Sequence, residues 1–564
     1  MQRSFLAIAA ATVVTVLAAC TADQGVPRRG PAAAAAERCE PGLDRAFGAW
    51  AEAGFSGSIA ISKAGRFECL AAHGSADDAA GRANTPETVF SIGSITKAFT
   101  AAAVLRLLDE GKLSLDDRAG KVLPELDGPV AKATIRQLLL HTSGLNGSHG
   151  RDYEPLDRDS AVAAIGRLTL AFAPGSGYVY SNAGYTLLAL IVEKASGTSY
   201  RKYVAENLLR LPGRRVAGGF WSGEPAAQGP RAVGYHDDGR TGERGDFRGP
   251  YWGMEGNGGL AMTTADLASW AHALFTGGLV SRRAAELIAG PGHDLGGGRS
   301  ETPGWVAFDR SVYGEPFLST AGGGSEVGHN AVVVWVPGQQ RVIAVASNKA
   351  RVSAEELLQA VGPALFAGRP VPTPDAPAGA GDGDLAAATG SYELETGGSY
   401  EVSAKDGELT ITARGADAVT ALFPPRGDVD LRAHERRVLA LLDGRTQEGR
   451  EERANLQKAF GAFTGVALAG SVVDDGEVRT YVTISTKRQP VTAWYAVNEH
   501  GGIHAAELRP EPPRLTLVPD GGGRYRPDDP AGTGPEVSVA FRDRRMSITR
   551  SGRHGGTSVA RATG

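Results

Sequence analysis

Apolar positions along this chain recur with two periods, and the points where the period changes mark its elements. From residue 40 a helical stripe leads into two alternating runs, 56–62 and 66–72, parted by a turn at Ala64-Gly65. These read as a helix followed by a hairpin. Helical spacing returns at 94–110, 135–141, 182–195 and 264–275. Ile95, Phe99, Ala102 and Ala103 form the stripe of the first of these, and Gly111 is placed to end it. Two β-rich runs, 331–336 and 341–346, are joined by Pro337-Gly338-Gln339-Gln340, a hairpin signal. An amphipathic helix over 353–366 closes the unit. Strands at both ends with helices between predict an antiparallel sheet completed by the ends of the segment, plus a helical subdomain.

Beyond a Pro-, Ala-, Gly- and Asp-rich stretch at 368–384 the period shortens again. The runs 390–394, 400–404, 408–412 and 420–423 alternate like strands of a small barrel. Two helical patterns, 431–442 and 447–460, interrupt them and are followed by strand-like runs at 466–472 and 478–485. Strand patterns resume at 515–518, 536–541 and 546–548. The expected parse is a β-barrel-like domain built from 385–428 and 513–564, with an α+β module, 430–512, inserted into it. Two consecutive domains are the alternative. No internal repeat is visible.

Composition changes this picture little. A chain of 564 residues predicts two to four domains. The net charge of −4, from 59 basic and 63 acidic residues, offers no bulk attraction to nucleic acid or an anionic membrane surface. With 77 glycines, any single glycine motif carries less weight. The N-terminus changes more. Met1-Gln2-Arg3 is basic, and 5–19 is apolar yet too short to span a bilayer. It ends in Leu17-Ala18-Ala19-Cys20, which resembles the lipobox of bacterial lipoproteins and implies lipidation of Cys20. An ordinary signal peptide cleaved near Ala19 is the alternative. The expected layout is a lipoprotein signal peptide, 1–20, then a flexible tether, 21–38. The expected location is extracytoplasmic, lipid-anchored to the cell membrane or outer membrane. In that compartment Cys39 and Cys69 are an even pair, and they are either disulfide-bonded or two buried thiols.

Candidate chemistry starts at Ser94-Ile95-Thr96-Lys97, which follows the β-prone Thr88-Val89-Phe90 and the turn residue Gly93. A hydroxyl opening a helix feels the positive end of its dipole, which favours a developing alkoxide. Lys97 lies one turn on and on the same face, and a buried lysine loses its proton and serves as a base. The bare pattern arises by chance about once in a chain this long, so companions decide. Tyr180-Ser181-Asn182 follows the turn Pro174-Gly175-Ser176-Gly177 and begins a helix. A phenol near an ammonium can be held as phenolate and pass protons, and Asn182 can bond a substrate carbonyl and touch Lys97. The third element is Thr320-Ala321-Gly322-Gly323-Gly324, read as a strand edge facing the nucleophile. Ala321, Gly323 and Gly324 are its substrate-binding candidates, and one N–H there can join that of Ser94 as an oxyanion hole. His236-Asp237-Asp238 lacks a partner cluster and reads as a polar loop.

Ser94-Ile95-Thr96-Lys97, Leu139-Leu140-His141-Thr142-Ser143-Gly144-Leu145, Tyr180-Ser181-Asn182 and Gly258-Gly259-Leu260-Ala261-Met262-Thr263-Thr264-Ala265-Asp266-Leu267 fall in an order that resembles the class C β-lactamase-like serine hydrolases. That family holds class C β-lactamases, D-alanyl-D-alanine carboxypeptidases, D-aminopeptidases and related esterases. The resemblance covers roughly 40–370, the expected hydrolase domain being 39–370. It implies the α/β fold of serine β-lactamases and penicillin-binding proteins, an antiparallel sheet flanked by helices with an all-α subdomain. It implies no metal or other cofactor, and an acyl-enzyme on Ser94 with Lys97 as base, Tyr180 as proton relay and Asn182 as substrate contact. His141 and Thr142 match a helix-end motif with a structural role. The region from Gly390-Ser391-Tyr392 looks like the small barrel appended to many members. One departure stands out: where the family has Lys-Thr-Gly, His-x-Gly or Trp-x-Gly, this chain has Ala321 or Thr320 in the first position. Lys349 and Arg351 are the nearby cations in the sequence. The expected function is hydrolysis of an ester or amide in a small-molecule or peptide substrate through an acyl-serine. The alternatives are a D-Ala carboxypeptidase or β-lactamase, and a penicillin-binding sensor that does not turn over.

Overall fold

The computed structural model describes residues 39–213, 215–236, 239, 241–242, 247–324, 328–374, 385–405, 408–425, 429–474, 477–487, 489–551 and 555–563. Cys20 with the whole lipobox, the tether and Asp237-Asp238 lie outside them.

Eight antiparallel strands form the main sheet. Their order is Arg66–His73, Gly57–Lys63, Arg341–Ser347, His329–Val336, Phe317–Gly324, Trp305–Phe308, Arg299–Thr302 and His293–Gly296. The first hairpin of the unit therefore lies against its last strand, as the strand-rich ends predict. The central strands read as continuous apolar runs because both faces are covered, and alternate residues enter two separate cores. Ile59, Ile61, Val332, Val334, Ile343 and Val345 pack against Phe47 and Trp50 of the helix Pro41–Glu52 and Leu357 and Val361 of Ala354–Phe366. Ala60, Ala331, Val333 and Ala344 face the other core, with Phe99 of Thr96–Asp109 and Trp270 of Thr264–Phe275. A disulfide joins Cys39, just ahead of the first helix, to Cys69 in the second strand.

The nucleophile turn is anchored by a second, three-stranded sheet in which Phe90–Ser91 pairs with Leu260–Met262, which pairs with Gly219–Phe220. Ile92 N–H donates to the Leu260 carbonyl, and Leu260 N–H donates to Thr96 Oγ1. The fourth motif thus braces the first. Helices Ile135–Leu139, Arg158–Arg167, Asn182–Ser196 and Tyr200–Asn207 make the all-α part beside Thr96–Asp109.

A closed eight-stranded barrel follows, from Gly390–Leu394 to Gly556–Ala562, its first and last strands pairing through Tyr392 and Ala562. Between Glu408–Arg414 and Arg514–Pro519, neighbours in the barrel wall, the chain leaves to build helices Leu431–Leu442 and Gln447–Phe460 and a four-stranded sheet, Phe463–Asp474 to Ile503–Leu508. Ala413 N–H donates to the Pro513 carbonyl at 2.8 Å, so the two ends of the excursion touch. One expectation is corrected: 420–423 is no strand, since 420–422 end the helix Ala416–Leu422 and Phe423 follows as its C-cap. Gly415, at φ 93°, turns the chain out of the strand. Ala418, Val419 and Leu422 then recur at helical spacing and fill the barrel core beside Tyr400 and Ile411. Burial of that stripe outweighs the β-propensity of Val-Thr. Among the described residues no helix is long and apolar enough to cross a membrane.

Candidate active site

Ser94 sits in a 3-10 turn, Gly93–Ile95, that runs into the helix Thr96–Asp109. Lys97 follows in the first turn of that helix, only 3 % exposed. Its Nζ donates to Ser94 Oγ at 2.9 Å and to the Asn257 carbonyl oxygen at 3.0 Å. Burial pushes the Lys97 amine down to about 7, opposed by the negative charges of Asp152 and Glu301. The free amine, the form able to take a proton, is therefore accessible near neutrality. Tyr180 Oη donates to Ser94 Oγ at 3.0 Å, and its ring lies 4.8 Å below Lys97 Nζ.

At Tyr180 the surroundings favour a neutral phenol over the phenolate expected from the sequence. Burial raises its phenol above the ordinary value, the hydrogen bond with Ser94 opposes it, and Glu301 and Asp152 add to the rise. With the Lys97 amine itself lowered by burial, its positive charge gives a phenolate less support, which favours the phenol donating to the serine. Lys97 takes Asn257, rather than Asn182, as its second partner. Asn182 opens the helix Asn182–Ser196 at the rim, with its Oδ1 buried and without a hydrogen-bond partner.

The strand Phe317–Gly324 borders the nucleophile. Trp305–Phe308 covers it only at Phe317 to Ser319, leaving the edge from Thr320 onward uncovered by that neighbour. A β-carbon at Gly322 would lie 2.3 Å from the Ile92 carbonyl oxygen and 2.4 Å from the Ser94 amide nitrogen. Only glycine allows that approach. Gly93, at φ 46°, faces Gly323 in turn. Pleat parity then separates the candidates. Gly322 is opposite Ala331 and Thr320 opposite Val333, both in the core on the nucleophile side, whereas Ala321 packs with the opposite core. Of the two candidates Thr320 is the one whose side chain faces the nucleophile side, and Ala321 offers the site only backbone. Gly323 and Gly324 continue the edge opposite Asn330 and His329. Neither sequence-proposed cation serves the site. Lys349 pairs with Asp78 at 2.8 Å, and Arg351 bonds the Ala53 carbonyl and pairs with Asp528.

A family model described as Beta-lactamase matches residues 44–365. The chain belongs to the beta-lactamase family. Penicillin-binding protein 4* of Bacillus subtilis (strain 168) is 26 % identical over 395 residues, covering 64 % of this chain and 84 % of that protein. Esterase EstB of Burkholderia gladioli is 35 % identical over 227 residues, covering 36 % of this chain and 56 % of the esterase. Among solved structures, the octameric penicillin-binding protein homologue from Pyrococcus abyssi superposes with a TM-score of 0.52 at 19 % identity, covering 92 % of this chain and 99 % of that one. At that identity the likeness speaks for the fold.

Several residues of this beta-lactamase-family site were missed by sequence reasoning. Asn257 precedes the fourth motif by one residue, and Nδ2 bonds to Thr186 and Gly253 fix the loop whose carbonyl receives Lys97. Its signal was the motif's own edge. His141, at φ 54°, has a second task beside ending a helix: its carbonyl accepts from Val179 N–H and its Nδ1 from Ser181 N–H, at 2.9 and 3.0 Å. Glu301 and Tyr178 lie behind it, and a lone Glu in a polar hairpin gave no signal at all.

Proposed function

We propose that this protein is a serine hydrolase that cleaves an ester or amide through an acyl-serine intermediate. The observation that carries the reading is the single oxygen of Ser94 receiving hydrogen bonds from both Lys97 and Tyr180. Lys97 takes the Ser94 proton as Oγ attacks the carbonyl carbon. The resulting oxyanion is received by the Ser94 N–H and an N–H of the 322–324 edge. The proton passes through Tyr180 to the leaving alcohol or amine, and water then repeats the sequence on the ester, with its proton returned to Ser94. The unpaired Asn182 Oδ1 is suited to an N–H of the bound substrate.

Substrate charge follows from what surrounds the serine. Thr320 stands in the cation position, Lys349 and Arg351 are tied elsewhere, and the acidic neighbours of Lys97 are Asp152 and Glu301, the latter pushed up to about 8 by burial. A free carboxylate would lose solvation without gaining a charge-assisted partner, about 1–3 kcal/mol. Neutral acyl esters and amides are therefore the preferred class. The likeness to a penicillin-binding protein favours a second reading, a D-Ala carboxypeptidase or β-lactamase. We place the enzyme outside the cytoplasm on a Cys20 lipid anchor on the strength of the lipobox alone, and give it a small-molecule or peptide substrate and, from its near-balanced charge, no nucleic-acid partner.

The test is a panel of short-chain esters, D-amino-acid amides, a chromogenic cephalosporin and a matched pair, a D-Ala-terminated peptide and its methyl ester. Wild type should hydrolyse neutral members, Ser94→Ala none, and Thr320→Lys should improve the free acid relative to the ester. Fluorophosphonate labelling of Ser94 without turnover of any member would replace hydrolysis by the sensor reading.

A further inference from the structure

Behind Tyr180 lies a buried group that the mechanism above does not use. Glu301, in the strand Arg299–Thr302, is only 5 % exposed. The turn after that strand reaches the nucleophile helix: a β-carbon at Gly304, φ 75°, would lie 2.7 Å from Ala98 Cα and 2.9 Å from the Lys97 carbonyl. Glu301 is thereby carried under the catalytic pair. Tyr178 Oη donates to its Oε2 at 3.0 Å, and its Oε1 faces His141 Nε2 at 3.9 Å.

His141 is the link. Its Nδ1 accepts the Ser181 N–H, so that nitrogen carries no proton and Nε2, on the Glu301 side, carries it. Its carbonyl accepts the Val179 N–H. The main chain on both sides of Tyr180 is thus held by one residue, whose ring also lies against the Tyr180 ring, centroids 4.5 Å apart. The 3.9 Å from Nε2 to Oε1 is too long for a hydrogen bond, so the carboxyl acts on the ring as a polar wall against its far edge, beside the rings of Tyr178 and Tyr185. Tyr178, which bonds the carboxyl, is itself stacked on His293 at 5.5 Å.

We propose that Glu301 is a positioning residue: held by Tyr178, its carboxyl fixes the His141 ring that keeps Tyr180 on the nucleophile oxygen. Glu301 touches no reacting atom in this arrangement and acts through Tyr180. The inference rests on the serine-hydrolase reading, and it deepens it by explaining why the second motif's histidine lies at the third residue's back.

A misplacement of order 1 Å at a reacting group costs about 10²-fold in rate. Glu301→Ala should therefore lower kcat by about that factor with KM little changed. Glu301→Gln, which keeps an acceptor for Tyr178, should stay within a few-fold of wild type, and Tyr178→Phe should fall between. The deciding measurement is a double-mutant cycle on a neutral ester: in a Tyr180→Phe background Glu301→Ala should cost nothing further, because its target is gone. Thermal unfolding of each variant controls for folding, and if Glu301→Ala does not fold, the same cycle is run with Tyr178→Phe. Wild-type kcat in the folded single variant, or full additivity with Tyr180→Phe, overturns the proposal. If wild type itself hydrolyses nothing, the failure belongs to the reading of the site and not to Glu301.

Discussion

Lys97 owes its chemistry to the absence of water around it. Burial lowers its amine to about 7, while Asp152 and Glu301 pull the other way. The base form is the unprotonated one, so kcat/KM should rise with pH and level off above an apparent pKa near 7. Asp152→Asn removes a negative charge that favours the ammonium, so the rising limb should move to lower pH. A pH–rate profile of the two proteins on one neutral ester checks both, and an unmoved limb would remove Asp152 from the electrostatics of the site. At this scale the sequence was informative where residues were tied to a local pattern. Ser94 and Lys97 are three positions apart on one helix, and Tyr180 opens another, so spacing and order reveal them. Asn257, Glu301 and the clamp made by His141 act across 160, 123 and 40 residues of chain, and no local pattern encodes such meetings.

Among elements, the hairpin and its flanking helices were legible because alternation and helical stripes survive in both cores. Ala321 was not, since which face a residue takes depends on register, and the register of Phe317–Gly324 is set by pairing with His329–Val336. The helix Ala416–Leu422 was misread for a related reason: short β-branched runs fit either state until packing decides. The element most exposed to loss is the first helix, Pro41–Glu52, which seals one face of the sheet and is tied to the hairpin by Cys39–Cys69. With a sequence separation of 30, the chain-entropy account gives that bond about 3–4 kcal/mol. Cys39→Ser with Cys69→Ser should lower the unfolding midpoint of the hydrolase part while leaving the catalytic constants near wild type at low temperature. Calorimetry with and without reductant measures it, and an unchanged midpoint would show that packing alone holds the helix.

For the whole molecule, the excursion from the barrel reaches back to the hydrolase part. Asn498 Nδ2 donates to Asn146 Oδ1 at 2.8 Å, the His500 ring meets the Phe172 ring at 5.3 Å, and Glu448 accepts both the Ile503 and Ser148 N–H groups. Phe172 in turn abuts Gly177, just ahead of Tyr178, and the 146–151 loop leads into Asp152. Asn498→Ala gives up the bond to Asn146 together with the two its Oδ1 accepts from the His500 and Gly502 N–H groups. The bond to Asn146 alone is worth about 1 kcal/mol, roughly fivefold in kcat/KM if the loop it steadies frames the substrate. Steady-state kinetics on a small and a large ester would resolve it, and identical constants for both would leave the seam a purely structural contact.

The two ends of that excursion meet at Ala413 and Pro513, on adjacent staves of a wall that closes without it. Its sheet does cover part of the barrel core, through Tyr481 and Trp494. The same stretch of chain also supplies the helix Ala416–Leu422 to that core, so barrel and attachment share one interior. In this architecture a module remote from the serine along the chain is folded back beside the catalytic segment, through Asn146, Ser148 and Phe172.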